Sequence, residues 1–108
     1  MITRFQRCVG LRLLRIFKWQ LEVWFCPPYE PIPNHVHKEC DSRIIHIWGT
    51  MLWWMPGKCK IVTSRNIGWS KPVPANMLHG AYTYSYSIFA NWQRWNTKPT
   101  SAAIDFHQ

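Results

Sequence analysis

Pro27, Pro28, Pro31 and Pro33 stand almost side by side, and each fixes a backbone dihedral while removing a hydrogen-bond donor. No helix interior or central strand accommodates such a run, so residues 26–40 read as an extended, polyproline-like linker. This segment separates an N-terminal stretch of 25 residues from the remainder of the chain. Pro72 and Pro74 mark a second linker further on. With 108 residues the sequence has room for one small unit, and its eight Trp present more ring area than so small a core is expected to cover. Some of the rings are therefore expected to meet lipid or a partner, in a chain without an independent globular core.

Ahead of the linker, Arg4, Arg7, Arg15, Lys18 and Glu22 recur at three- and four-residue steps, with Arg12 beside them. Ile2, Phe5, Val9, Leu13, Ile16, Phe17 and Trp24 fall mainly elsewhere, so residues 1–25 read as an amphipathic basic helix about 35 Å long. Arg7, Arg12 and Arg15 near its middle oppose a membrane crossing by roughly 8 to 10 kcal/mol. A helix lying on a surface, or an ordinary packing helix, is expected instead. The Arg-rich, acid-poor start also has the character of a mitochondrial address. The formal net charge of +8 favours anionic partners, phospholipid (cardiolipin among them) ahead of nucleic acid.

After the linker, residues 41–57 read as a second helix, capped by Asp41 or Ser42 and apolar on nearly every face through Ile44, Ile45, Ile47, Trp48, Met51, Leu52, Trp53, Trp54 and Met55. It is shorter than the roughly 20 residues a spanning helix needs, and Pro56 and Gly57 interrupt it. Such a segment suits a shallow or short tilted membrane helix with its Trp side chains at the boundary, or a buried core helix. Residues 58–108 read as an extended basic and aromatic tail. Within it Tyr82, Tyr84, Tyr86 and Ile88 alternate with polar residues as in a single half-buried strand. Trp92, Arg94, Trp95 and Lys98 mix rings with positive charge, a combination that suits RNA as well as lipid or protein.

Met51, Leu52, Trp53 and Trp54, with Gly68 and Trp69 and then Pro72 further along, resemble the AGGG-type small accessory subunit of mitochondrial NADH:ubiquinone oxidoreductase. The resemblance covers residues 51–72. It implies an inner-membrane location, one membrane helix, and a structural role without redox centres among the other subunits of a large complex.

Catalytic signatures are missing from the sequence. There is no Gly-x-Ser-x-Gly, no His-Glu-x-x-His and no dinucleotide glycine fingerprint, and Glu22, Glu30, Glu39, Asp41 and Asp105 are scattered. His35, His37 and Cys40, with His46 and Cys59 nearby, are residue types that zinc accepts, and His35 and His37 would share one face of an extended segment. No second close pair completes a tetrahedral set, so isolated polar or interface histidines are the expected reading, and no cofactor is expected. Cys40 with His37 as nucleophile and base has no local signature. Cys8, Cys26, Cys40 and Cys59 form no Cys-x-x-Cys pair and read as structural thiols.

The sequence thus points to a non-catalytic accessory subunit of a respiratory inner-membrane complex. Arg7, Arg12, Arg15, Trp48, Trp53, Trp54 and Trp69 are its candidate membrane and partner contacts. The second reading is a small RNA-contacting protein of a mitochondrial ribosome or another ribonucleoprotein.

Overall fold

In a computed structural model, which describes residues 2–37, 40–95 and 105–106, the expected helices are replaced by strands. These are β1 (Ile2–Phe5), β2 (Cys8–Ile16), β3 (Trp19–Cys26), β4 (Pro31–Val36), β5 (Cys40–Trp48), β6 (Met51–Met55), β7 (Lys58–Val62), β8 (Ser70–Val73), β9 (His79–Thr83), β10 (Ser87–Trp95) and β11 (Asp105–Phe106). A single 3-10 turn, Ser64–Asn66, is the sole helical element among the described residues. Lys98, in the basic and aromatic tail, lies outside the described residues.

The expected amphipathic helix over residues 1–25 is instead β1, β2 and most of β3, folded back by two tight hairpins. Phe5 pairs with Cys8 and Ile16 with Trp19, so Gln6-Arg7 and Phe17-Lys18 are the two connections. Gln6 and Phe17 hold positive φ of 53° and 52°. Turns of this length normally announce themselves with Asn-Gly or Gly, and neither connection contains one. The helical spacing of the Arg stripe is therefore accidental. Glu22, expected on the exposed basic stripe, is fully buried and lies opposite Arg12 in the β2–β3 ladder.

The expected Trp-rich helix over residues 41–57 is β5 and β6. Alternation is visible once the faces are known: Cys40, Ser42, Ile44 and His46 point inward on β5, and Met51, Trp53 and Met55 on β6. Ile45, Ile47, Leu52 and Trp54 are half-buried on the other faces, which makes both sides of these strands apolar and hides the period of two. Pro56 and Gly57 do not interrupt a helix; they turn the β6–β7 hairpin, with Gly57 at φ 77°.

The Pro-rich stretch carries β4. Pro31 is the first residue of the strand and Pro33 sits where the β4–β9 register shifts, positions at which a missing donor is tolerated. The one strand expected around Tyr82–Ile88 is two, β9 and β10, with a bend between them.

All pairings are antiparallel, in a six-stranded sheet of order β1-β2-β3-β10-β5-β8 and a five-stranded sheet of order β11-β4-β9-β6-β7. Trp24, Ile44 and Phe89 from the first sheet pack with Met51, Trp53 and Val62 from the second in one core. Trp53 meets Phe89 edge to face at 5.0 Å between ring centroids. Trp24 lies flat beneath β2 because Gly10 has no side chain; a Cβ there would stand 2.6 Å from the indole. The radius of gyration is 12.8 Å, close to the ~13 Å of an independently folded domain of this length. The expectation of no independent core is thereby overturned. Away from Trp24 and Phe89 the interior becomes polar, where Gln20 Nε2 donates to Gln93 Oε1 at 2.9 Å and Trp95 Nε1 donates to the same oxygen.

Candidate metal centre

The other part of the interior is built around β4 and β9. His35 lies on β4 and His37 one residue past its end, and both side chains turn to the interior. β9 brings His79 into register with His35. His35, His37 and His79 are all buried, with relative exposures of 6%, 4% and 3%. Their ring centroids are 4.2 Å (His35–His79), 5.1 Å (His35–His37) and 5.2 Å (His37–His79) apart. One ligand nitrogen from each lies within 4.8 Å of the other two. Two nitrogens on a tetrahedral zinc ion, each ~2.0–2.1 Å from it, stand about 3.4 Å apart.

Two of the rings are already oriented for such a role. His35 Nδ1 donates to the Pro33 carbonyl at 2.8 Å, and His79 Nδ1 donates to the Met77 carbonyl at 2.9 Å. A carbonyl oxygen only accepts, so each Nδ1 carries the proton and each Nε2 presents a lone pair. Burial holds His35 below the ordinary imidazole range. Burial and the neighbouring His35 push His79 down to about 4. Neutral imidazole is the form that ligates a metal.

The histidines open onto a cavity of about 40 Å³, walled by Phe5, Trp24, Ile32, Ile44, Trp53 and Phe89. That is room for an ion and a water or two, since one water needs at least ~10–15 Å³ on this measure. Cys8, Cys26 and Asn91 also border it. Cys26 stays a thiol, its ionisation opposed first by a hydrogen bond with Cys8 and then by burial.

Of the metal-type residues read from the sequence, His35 and His37 come together and the rest do not. His46 is buried elsewhere, with its Nε2 bonded to the Gly49 carbonyl at 2.8 Å. Cys59 is exposed on β7. Cys40 is fully buried and its thiol is pushed up to about 12, by burial and then by the charges of Asp41 and Glu22, which removes it as a nucleophile. His79 completes the set, and no spacing in the sequence marks it; only the pairing of β4 with β9 does.

The candidate membrane contacts are scattered. Arg7 Nε bonds Glu30 Oε2 at 2.8 Å. Arg12 and Arg15 lie along β2 opposite Glu22 and Gln20. Trp48 is exposed at the end of β5, Trp53 is buried in the core, and Trp54 and Trp69 are half-buried. Of these, Trp53 and Trp69 come near each other, in the lining of one cleft.

No protein-family profile matches the sequence, and no curated protein is similar to it. Solved structures do share its fold, that of the cupin or RmlC-like double-stranded β-helix proteins. KdgF from Halomonas sp. superposes with a TM-score of 0.78 at 11% identity, over 90% of this chain and 89% of that one. An RmlC-like cupin from Shewanella frigidimarina gives 0.73 at 17% identity, over 87% and 82%. The polyketide cyclase RemF from Streptomyces resistomycificus gives 0.73 at 17% identity, over 95% and 72%.

This fold overturns the resemblance of residues 51–72 to the AGGG-type subunit, whose matching residues here lie on β6 and near β8 rather than on a membrane helix. The reading as a structural subunit of a respiratory complex falls with it, as does the expectation that the chain is not an enzyme, since enzymes are built on the same fold. The inner-membrane assignment goes too: no helix among the described residues is long and apolar enough to cross a membrane.

Proposed function

We propose that the chain is a metal-dependent enzyme acting on a small molecule, with His35, His37 and His79 holding a divalent cation. The observation that carries this reading is the convergence of three buried imidazoles, two of them with Nδ1 committed to a backbone carbonyl and Nε2 left to ligate. Three protein nitrogens leave a coordination position open, as in catalytic rather than structural sites. A cation held there would supply a Lewis acid for a substrate oxygen or lower the pKa of a bound water.

The chain's own residues do the rest. β4 and β9 fix His35 and His79 on two paired strands, and His37 follows directly after the end of β4. Phe5, Trp24, Ile32 and Phe89 surround the cavity with apolar side chains, and an apolar surrounding strengthens any charge interaction formed inside it. The cupin-fold polyketide cyclase RemF supports an enzymatic reading by architecture alone.

Metal titration of the purified full chain tests the proposal. Calorimetry with zinc should give one site per chain, and cobalt should give the intense visible absorption of a four-coordinate ion. Both should be lost in His79→Ala. Absence of binding, or one-to-one binding that survives His35→Ala, His37→Ala and His79→Ala alike, sinks the reading.

A further inference from the structure

A second opening lies between the free edges of the two sheets. It holds about 560 Å³ and is lined by Trp53, Lys58, Lys60, Trp69, Ser70 and Lys71, among others. That volume is in the range of small-molecule sites, roughly 300–1,000 Å³. Lysines on exposed strands usually point to solvent, but here the register turns them toward the gap. On β7, Lys58 and Lys60 share a face with buried Val62 and lie opposite the inward-facing Met55 and Trp53 of β6. On β8, Lys71 is two residues from buried Val73 and shares its face. Three ammonium groups are thus directed from two edge strands toward one gap. No carboxylate lines the cleft, and none of the three lysines has an ion-pair partner among the described residues. Arg43, on the outward face of β5, donates from Nη1 to Ser70 Oγ at 2.8 Å.

Trp53 stands between this cleft and the histidines, lining both openings. Its indole N–H is buried and has no acceptor among the described residues. The histidine cavity, at about 40 Å³, is too small for an organic molecule, whereas the cleft beyond Trp53 is not.

We propose that the cleft between β7 and β8 binds a small organic anion, through carboxylate or phosphate groups held by Lys58, Lys60 and Lys71, as the docking site for the substrate of the histidine centre. The role as substrate site rests on the metal-centre reading; the binding of anions does not. Trp69 and Trp53 supply flat apolar walls for the body of the molecule, and the lysines fix its charged end. Attraction between the compact ammonium groups and the anion weakens as salt is added.

The test is a titration of the ¹⁵N-labelled full chain with inorganic phosphate and, separately, with citrate at low ionic strength, monitoring the indole N–H resonances. Saturable shifts of Trp53 and Trp69 are expected with at least one of the two, and the choice between them separates phosphate from carboxylate recognition. Affinity should fall at least tenfold in a K58Q/K60Q double variant and in K71Q, while K60R keeps it. These variants should retain the zinc stoichiometry of the parent chain. No saturable shift with either anion, or shifts that persist unchanged in both variants, overturns the proposal and leaves the lysines as guards against pairing at two open sheet edges. Anion binding in a chain that takes up no zinc sinks the metal reading and leaves the cleft standing. Zinc binding without anion binding does the reverse.

Discussion

His35 and His79 stand directly opposite each other in the β4–β9 ladder, with ring centroids 4.2 Å apart, although they come from opposite halves of the chain. The ladder sets that proximity, so the metal site is only as good as the pairing of these two strands. Replacing either histidine by Ala should weaken zinc binding by at least ~10²-fold, since a ligand is lost rather than a supporting contact. His46→Ala should leave zinc affinity unchanged, because His46 bonds Gly49 away from the site. Competition against a chromophoric chelator measures both.

Gly10→Ala should destabilise the protein by about 1–3 kcal/mol, against the usual gain when a glycine is replaced in an ordinary conformation. The added Cβ would meet three atoms of the Trp24 ring at 2.6–2.9 Å, and that ring is packed in the core. Urea unfolding of the two proteins, compared at equal slope, gives the difference.

The adjacent indoles of β6 should behave differently. Trp53 is 4% exposed and packs edge to face on Phe89, so Trp53→Ala should cost about 3–5 kcal/mol. Trp54 points the other way and is half-buried, so its truncation should cost less than half as much. Thermal melts of the two variants make the comparison, and equal losses would contradict the assigned faces.

Alkaline pH should destabilise the fold. An exposed thiol ionises near 9.0, but Cys40 holds its proton until about 12. Between these values the unfolded chain has released a proton that the native chain retains. Stability is therefore fully present below about pH 9 and falls as pH rises toward 12, by up to ~4 kcal/mol from this group. Cys26, also shifted upward, acts in the same direction. Melting temperatures at pH 8 and pH 10 should differ less in Cys40→Ala than in the parent chain.

How much of the fold and site is legible in the sequence depends on the residue. The shared face of His35 and His37 comes from the extended backbone that follows the proline run and needs no structure to see. The third imidazole is hidden because nothing local links residue 79 to residue 35. The β1–β2 and β2–β3 hairpins are hidden because Gln6 and Phe17, not Gly or Asn, occupy the positive-φ positions. A non-glycine residue there costs roughly 1–2 kcal/mol, which the surrounding sheet must offset. β5 and β6 read as one helix because both faces of each strand carry large apolar residues, so the alternation that identifies a half-buried strand is absent. The lysine cleft depends on which way β7 and β8 face, and that is fixed only when Val62 and Val73 find the core.

The position of β10 has a consequence for how the chain comes into being. It lies between β3 and β5 and is hydrogen-bonded to both, yet it is made after both. While the ribosome is still adding residues 87–95, β3 and β5 have each an open edge and no neighbour on that side. The six-stranded sheet closes only when this late strand slides in between them, a non-local step that belongs to the slow class of folding reactions. Until then the unpaired edges are the segments most open to association with other nascent chains, and to the chaperones that shield such edges during synthesis.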